Sequence, residues 1–239
     1  MVKLSEHFDD FTRQSRVMPV IVASIPLFFA ALAKGFSFSG LVETGFMAVL
    51  LVAAVSLLYR LARDMGKRCE ERMDKRLGAK PSVILLRFSD PSIGAVSKRK
   101  YHQRINEVFG LALPLEASDE TAESDGQYDA AVRSLKNRAN SDREKEFRVY
   151  QQLKEYHFYR NLYGIKPVAI VIYALLAFRE LWLIPDFSAE GLFLHPFPEY
   201  ISLYIFALGI LLISFVTRKG MKERSYSYGK ALIESCERI

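Results

Sequence analysis

VMPVIVASIPLFFAALA, Val17 to Ala33, carries no charged side chain, and Arg16 and Lys34 bracket it. A helix of this length, rising about 1.5 Å per residue, nearly spans a hydrocarbon core of about 30 Å. A core helix of a soluble protein keeps one wet face, and this stretch has none. The first sixteen residues are mostly polar and no small-residue cleavage pattern follows, so it reads as a retained membrane helix rather than a signal peptide.

Three further stretches repeat the pattern. Thr44 to Tyr59 lies between Glu43 and Arg60, with Leu41 and Val42 able to lengthen it. Pro167 to Phe178 resumes after Arg179 and Glu180 as Leu181 to Ile184. Tyr200 to Thr217 lies between Glu199 and Arg218. The third crossing is long enough only if Arg179 and Glu180 sit near an interface, where long side chains reach water. The expected fold class is therefore an all-α integral membrane protein with four transmembrane helices as two hairpins, joined by a mostly helical cytosolic insertion domain. Its expected parts are an N-terminal interfacial helix over 1–16, hairpin 1 over 17–60, the cytosolic domain over 61–166, hairpin 2 over 167–217, and an amphipathic tail over 218–239.

Orientation follows from the distribution of Lys and Arg. The two short connections, Lys34 to Glu43 and Arg179 to Glu199, hold two basic and five acidic residues, a net −3. The whole chain is +6, so +6 minus −3 leaves +9 on the other side. Both termini and the middle domain are thus expected in the cytosol. Cys69 and Cys236 fall on that reducing side and read as packing residues.

Within the middle domain, Val83 to Leu86 is a short apolar run, expected as a strand or buried extended segment and closed by Ser89-Asp90-Pro91. A helix with Tyr101, Ile105, Val108 and Phe109 on one face follows, stopped by Pro114. Tyr128, Ala131, Val132, Leu135 and Ala139 recur at helical spacing. Ser141 and Glu144 have the spacing of a capping box for the next helix, which is expected to run across Gly164 and Pro167 into the third crossing. On the tail, Met221, Tyr228, Leu232, Cys236 and Ile239 form one stripe.

Catalytic signatures are missing. The 13 glycines form neither GxGxxG nor GxxxxGK[ST], and the four histidines have no zinc-ligand spacing. We therefore expect no enzyme activity and no cofactor. Arg99-Lys100-Tyr101-His102 suggests phosphate handling, but a single His without a partner carboxylate is thin support for a nuclease. The basic residues Lys98, Arg99, Lys100 and Arg104, with His102, form one candidate anion-binding cluster, and Arg133 and Lys136 belong to a second. A basic surface drawn to anionic lipid explains the same charges. Glu43, Arg179 and Glu180 are candidates for a pore or its outer mouth.

Lys80-Pro81, Arg99 to His102, Leu113-Pro114, the Tyr128 to Leu135 helix and Phe158-Tyr-Arg-Asn-Leu-Tyr-Gly-Ile-Lys-Pro167 resemble, in that order, a group of uncharacterised bacterial four-helix inner-membrane proteins. The likeness covers roughly residues 78 to 167 and the tail from Tyr228. It marks Arg160, Asn161 and Lys166, where the domain meets the third crossing, as candidate coupling residues. The architecture also resembles channel-type membrane effectors of anti-phage defence, of the Hailong type. That resemblance implies a homo-oligomer, taken here as a tetramer, that conducts ions. Its control would come from a nucleotide or oligonucleotide signal made by a nucleotidyltransferase partner. The alternative is a non-conducting membrane scaffold that anchors a cytosolic protein.

Overall fold

The computed structural model describes residues 10–33, 45–121, 123–183 and 200–238, with the backbone alone over 45–52. The described residues are helical, with no strand among them. Eight helices are used below: α1 Asp10–Ala33, α2 Gly45–Leu77, α3 Pro81–Ile84, α4 Ala95–Phe109, α5 Ser124–Ser141, α6 Phe147–Leu183, α7 Ile201–Ser214 and α8 Arg218–Glu234. Most of the expected 1–16 helix, residues 34–44 with Glu43, residues 184–199, and Ile239 lie outside the described residues.

Among the described residues, α1 and α6 are long and apolar enough to cross a membrane. A third crossing is present if α7 and the helix after it count as one span. Alone, the 14 residues of α7 reach only about 21 Å at ~1.5 Å each.

The chain divides into two compact units, one of residues 1–69 with 158–218, the other of residues 70–157 with 219–239. In the first, Val20, Ala23, Ala62, Ile165, Tyr173 and Phe206 are central to a buried apolar core. Two close approaches shape it. A Cβ on Gly164 would stand 2.7 Å from Gly66 Cα, so α2 and α6 meet backbone to backbone. A Cβ on Gly209 would stand 2.7 Å from Pro26 Cγ, which seats α7 against the proline of α1. Pro26 cannot donate to Val22 O, one turn back. The Tyr173 hydroxyl donates to the neighbouring carbonyl of Ala23. Outside this core, Leu57, Phe178, Trp182 and Phe215 are each well exposed, an apolar surface of the kind that faces lipid or a partner.

The second unit packs α5 as its patterning requires, since Tyr128, Ala131, Val132, Leu135 and Ala139 are all buried. The tail stripe is buried too, at Met221, Tyr228, Leu232 and Cys236. Three local expectations are corrected. Residues 81–84 form a helical turn, not a strand: Pro81 occupies its first position, where its missing N–H costs nothing. Helix α4 stops at Gly110, in the left-handed region at φ 63°, and not at Pro114. Ser141 closes α5 by donating to Arg138 O, and α6 begins at Phe147, so Ser141 and Glu144 form no capping box for it. Helix α6 does run uninterrupted past Gly164 and Pro167, as expected.

Candidate functional site

The expected anion-binding residues separate in space. Lys98 is buried and its ammonium donates to the carbonyls of Arg87 and Asp90, closing the turn before α4. Burial lowers its pKa. His102 is fully buried, its Nδ1 2.6 Å from Pro114 O and its ring between Phe88 and Tyr128, at 5.2 and 5.4 Å. Burial pushes its pKa below the usual value, so it stays neutral. Both side chains therefore serve the core rather than the ligand-facing surface where they were expected. Arg99, Lys100 and Arg104 remain exposed on α4, with Arg99 on Glu116 at 2.5 Å and Arg104 on Glu107 at 3.4 Å. On α5, Arg133 pairs with Asp129 at 3.3 Å. Exposed pairs of this kind contribute roughly 0–1 kcal/mol, so a phosphate can displace the carboxylate.

The coupling candidates are anchored in the first unit. Asn161 Nδ2 donates to Ser15 O at 2.7 Å, in the widened π-turn of α1 at Arg13–Val17. Arg160 is buried beside it, with its guanidinium 3.2 Å from Asn161 Oδ1. Lys166 Nζ donates to Ser214 O and Val216 O, both at 3.0 Å, and so caps the end of α7. Arg179 and Glu180 pair with each other at 3.0 Å, Glu180 being buried. Two hydroxyls of the apolar helices bond within their own helices: Ser24 donates to Val20 O and Ser214 to Ile210 O.

Lys136 leads to a feature the sequence did not reveal. It lines a small cavity of the second unit, of about 30 Å³, with Glu70 and Asp74 of α2, Lys80, Tyr156 of α6, and Tyr228 of α8. The Tyr156 and Tyr228 rings are parallel at 6.3 Å, and Lys136 Nζ stands 5.8 Å from the Tyr228 ring centre. Burial, then Lys80, lowers the Lys136 pKa. Asp74 Oδ1 is sealed from solvent and has no hydrogen-bond partner. Burial first, and Glu70 second, push the Asp74 carboxyl up to about 6. The one available signal was the i,i+4 spacing of Glu70 and Asp74, a like-charge pair that an ordinary exposed helix avoids. The other walls come from segments far apart in the chain, which no local pattern connects.

Elsewhere in this unit, Arg87 holds Asp125 bidentately at 2.8 and 2.5 Å, and Tyr128 donates to Glu120 at 3.0 Å. No cluster of His, Cys, Asp and Glu suited to a metal occurs among the described residues. Compared with protein-family models, curated proteins and solved structures, the chain matches none.

Proposed function

We propose that the protein is a homo-oligomeric ion channel of the bacterial inner membrane, controlled through its second unit. The full reading has four crossings as two hairpins, both termini in the cytoplasm, and the second unit there as the insertion domain. The observation that supports it best is where the units divide. The boundaries after Cys69 and before Phe158 fall inside α2 and α6, two unbroken helices. A change in the second unit thus has a stiff covalent route into the apolar one, which is what gating needs. Gating also requires the signal to bind open and closed states with different affinity.

The signal in this reading is anionic, a nucleotide or short oligonucleotide made by a partner enzyme. Its contacts are the exposed Arg99, Lys100, Arg104 and Arg133, whose surface ion pairs are easily exchanged. Because Ser24 and Ser214 are spent on their own helices, the conducting path runs between copies rather than through one chain. That same inward bonding favours the second reading, a non-conducting membrane anchor for a cytosolic protein.

Ion flux through the purified protein in liposomes, with and without candidate nucleotides and oligonucleotides, tests the proposal. Flux that responds to one of them, and weakens with Lys100→Ala and Arg133→Ala together, is the expected result. An intact oligomer that passes no current under any condition would leave the anchor reading.

A further inference from the structure

A cavity of about 160 Å³ lies within the first unit, between α1, α6 and α7. Val22 and Pro26 of α1, Leu162 and Tyr173 of α6, Gly209 of α7 and Val216 just past its end line it. Among the described residues, Tyr173 is the one polar side chain of that wall, and its hydroxyl is spent on Ala23 O. Water finds no partner there, and an apolar cavity of about 150 Å³ stays dry and takes up a small apolar molecule. Close-packed interiors leave few voids larger than a water, so a void of this size calls for an occupant. The cavity opens to the side, where Ile25 and Leu212 of its wall are exposed.

Its wall runs along α7 from Gly209 to Val216, roughly 10 Å at the rise of a helix, and the Val216 end is positive. Lys166 Nζ stands 3.0 Å from both Ser214 O and Val216 O, which leaves the third donor of the ammonium for another acceptor. Arg218, two residues beyond Val216, is exposed and has no ion pair among the described residues. No acidic residue occurs from Phe158 to Phe178 or from Tyr200 to Arg218, so the flanking segments supply no carboxylate to this end. An elongated apolar cavity, open at its side and basic at one end, has the chemistry of a chain and a phosphate. A neighbouring copy in a closed ring brings its own Lys166 and Arg218 to the same depth, which adds charge of the same sign.

We propose that this cavity is a lipid site: one acyl chain of an anionic phospholipid fills it, and Lys166 and Arg218 hold the headgroup phosphate. The site rests on the first unit lying in a bilayer and does not depend on whether the protein conducts. A zwitterionic lipid offers the same chain, but its headgroup cation offsets the phosphate, so it is held more weakly.

Native mass spectrometry of the full chain in detergent micelles counts bound lipids and subunits together. It is to be titrated with phosphatidylglycerol, phosphatidylcholine or inorganic phosphate. Each cation near a headgroup contributes about fivefold, so the wild type should prefer phosphatidylglycerol by roughly 25-fold and Arg218→Gln by about fivefold. Val22→Phe, which fills the cavity, should weaken both lipids by about tenfold, the effect of some two buried methylenes. Leu212→Trp, at the exposed rim, serves if Val22→Phe does not fold. Inorganic phosphate should displace neither lipid. No retained lipid in the wild type, full retention in the filled variants, an unchanged preference in Arg218→Gln, or displacement by phosphate each overturns the site. So does a filled variant that changes its subunit number and keeps its lipid, since a second copy would then be the occupant. Any of these results leaves the membrane and channel readings standing, because neither lipid retention nor its loss measures insertion or current.

Discussion

In the first unit, the polar side chains of the apolar helices end mainly on backbone carbonyls, whereas in the second many also bond to one another. Ser24, Asn161, Lys166, Tyr173 and Ser214 all end on main-chain carbonyls. In the second unit Arg87 meets Asp125, Tyr128 meets Glu120, and Arg238 meets Glu146 at 2.5 Å. The difference teaches what each unit is built to exclude. Where helices are apolar throughout, an unsatisfied carbonyl has no water to turn to, so the few polar side chains are best used on helix ends, a π-turn and a proline. Where water reaches the surface, charged groups join elements distant in sequence and set the register of small helices.

The largest expected effect breaks the first unit at its backbone crossing. Gly164→Leu places a side chain against Gly66 Cα and should cost about 3 kcal/mol or more, read as loss of the folded species in a detergent melt. Gly126→Ala is the control, since nothing lies within 4 Å of that Cβ. It should stabilise by about 0.5–1 kcal/mol.

Next comes Lys98, which behaves in the second unit as Lys166 does in the first. Lys98→Met leaves the carbonyls of Arg87 and Asp90 without their donor and should cost about 1–3 kcal/mol in thermal unfolding. Equal losses in Lys98→Met and Lys100→Met would erase the distinction drawn here between buried and surface lysines.

A pH effect of intermediate size follows from His102. Its folded pKa is lowered, so below the ordinary value of 6.5 the unfolded chain takes up a proton that the folded one refuses. Stability conferred by the neutral ring is therefore lost as pH falls below about 6.5. Asp74 acts with the opposite sign, so the fall should be cleanest in Asp74→Asn. Adding His102→Gln should flatten the curve of melting temperature against pH.

The smallest effect belongs to the exposed pairs. Arg104→Ala should change stability by less than about 0.5 kcal/mol, since a screened surface pair contributes little. A loss above 1 kcal/mol would mean that the α4 surface is covered by something in the folded protein.

Legibility from sequence tracked how local each determinant was. Helix α5 was readable because its buried side chains recur with the helical period along one segment. Helix α4 was only partly so: Ile105 is buried as its period requires, but Val108 is exposed, and Lys98 and His102 turn inward. Their destinations, the carbonyls of Arg87, Asp90 and Pro114, lie on loops that no periodicity describes. The 81–84 turn was misread because a short apolar run carries no period, and the proline at its start was the better signal. The basic clusters were legible as charge but not as a site, because Arg99, Arg104 and Arg133 are each answered by an acidic residue and Lys98 turns into the core. The Asp74 cavity needed five segments to meet, so nothing short of the fold could show it.

Trp182 is the chain's single tryptophan, near the end of α6, and 80% of it is exposed. Its fluorescence is therefore a built-in depth gauge. In vesicles the emission maximum and its quenching by lipids brominated at successive carbons would locate the end of α6 within the bilayer, without any label. The same signal, followed while a candidate nucleotide is added, would show whether that end of the helix responds to the ligand.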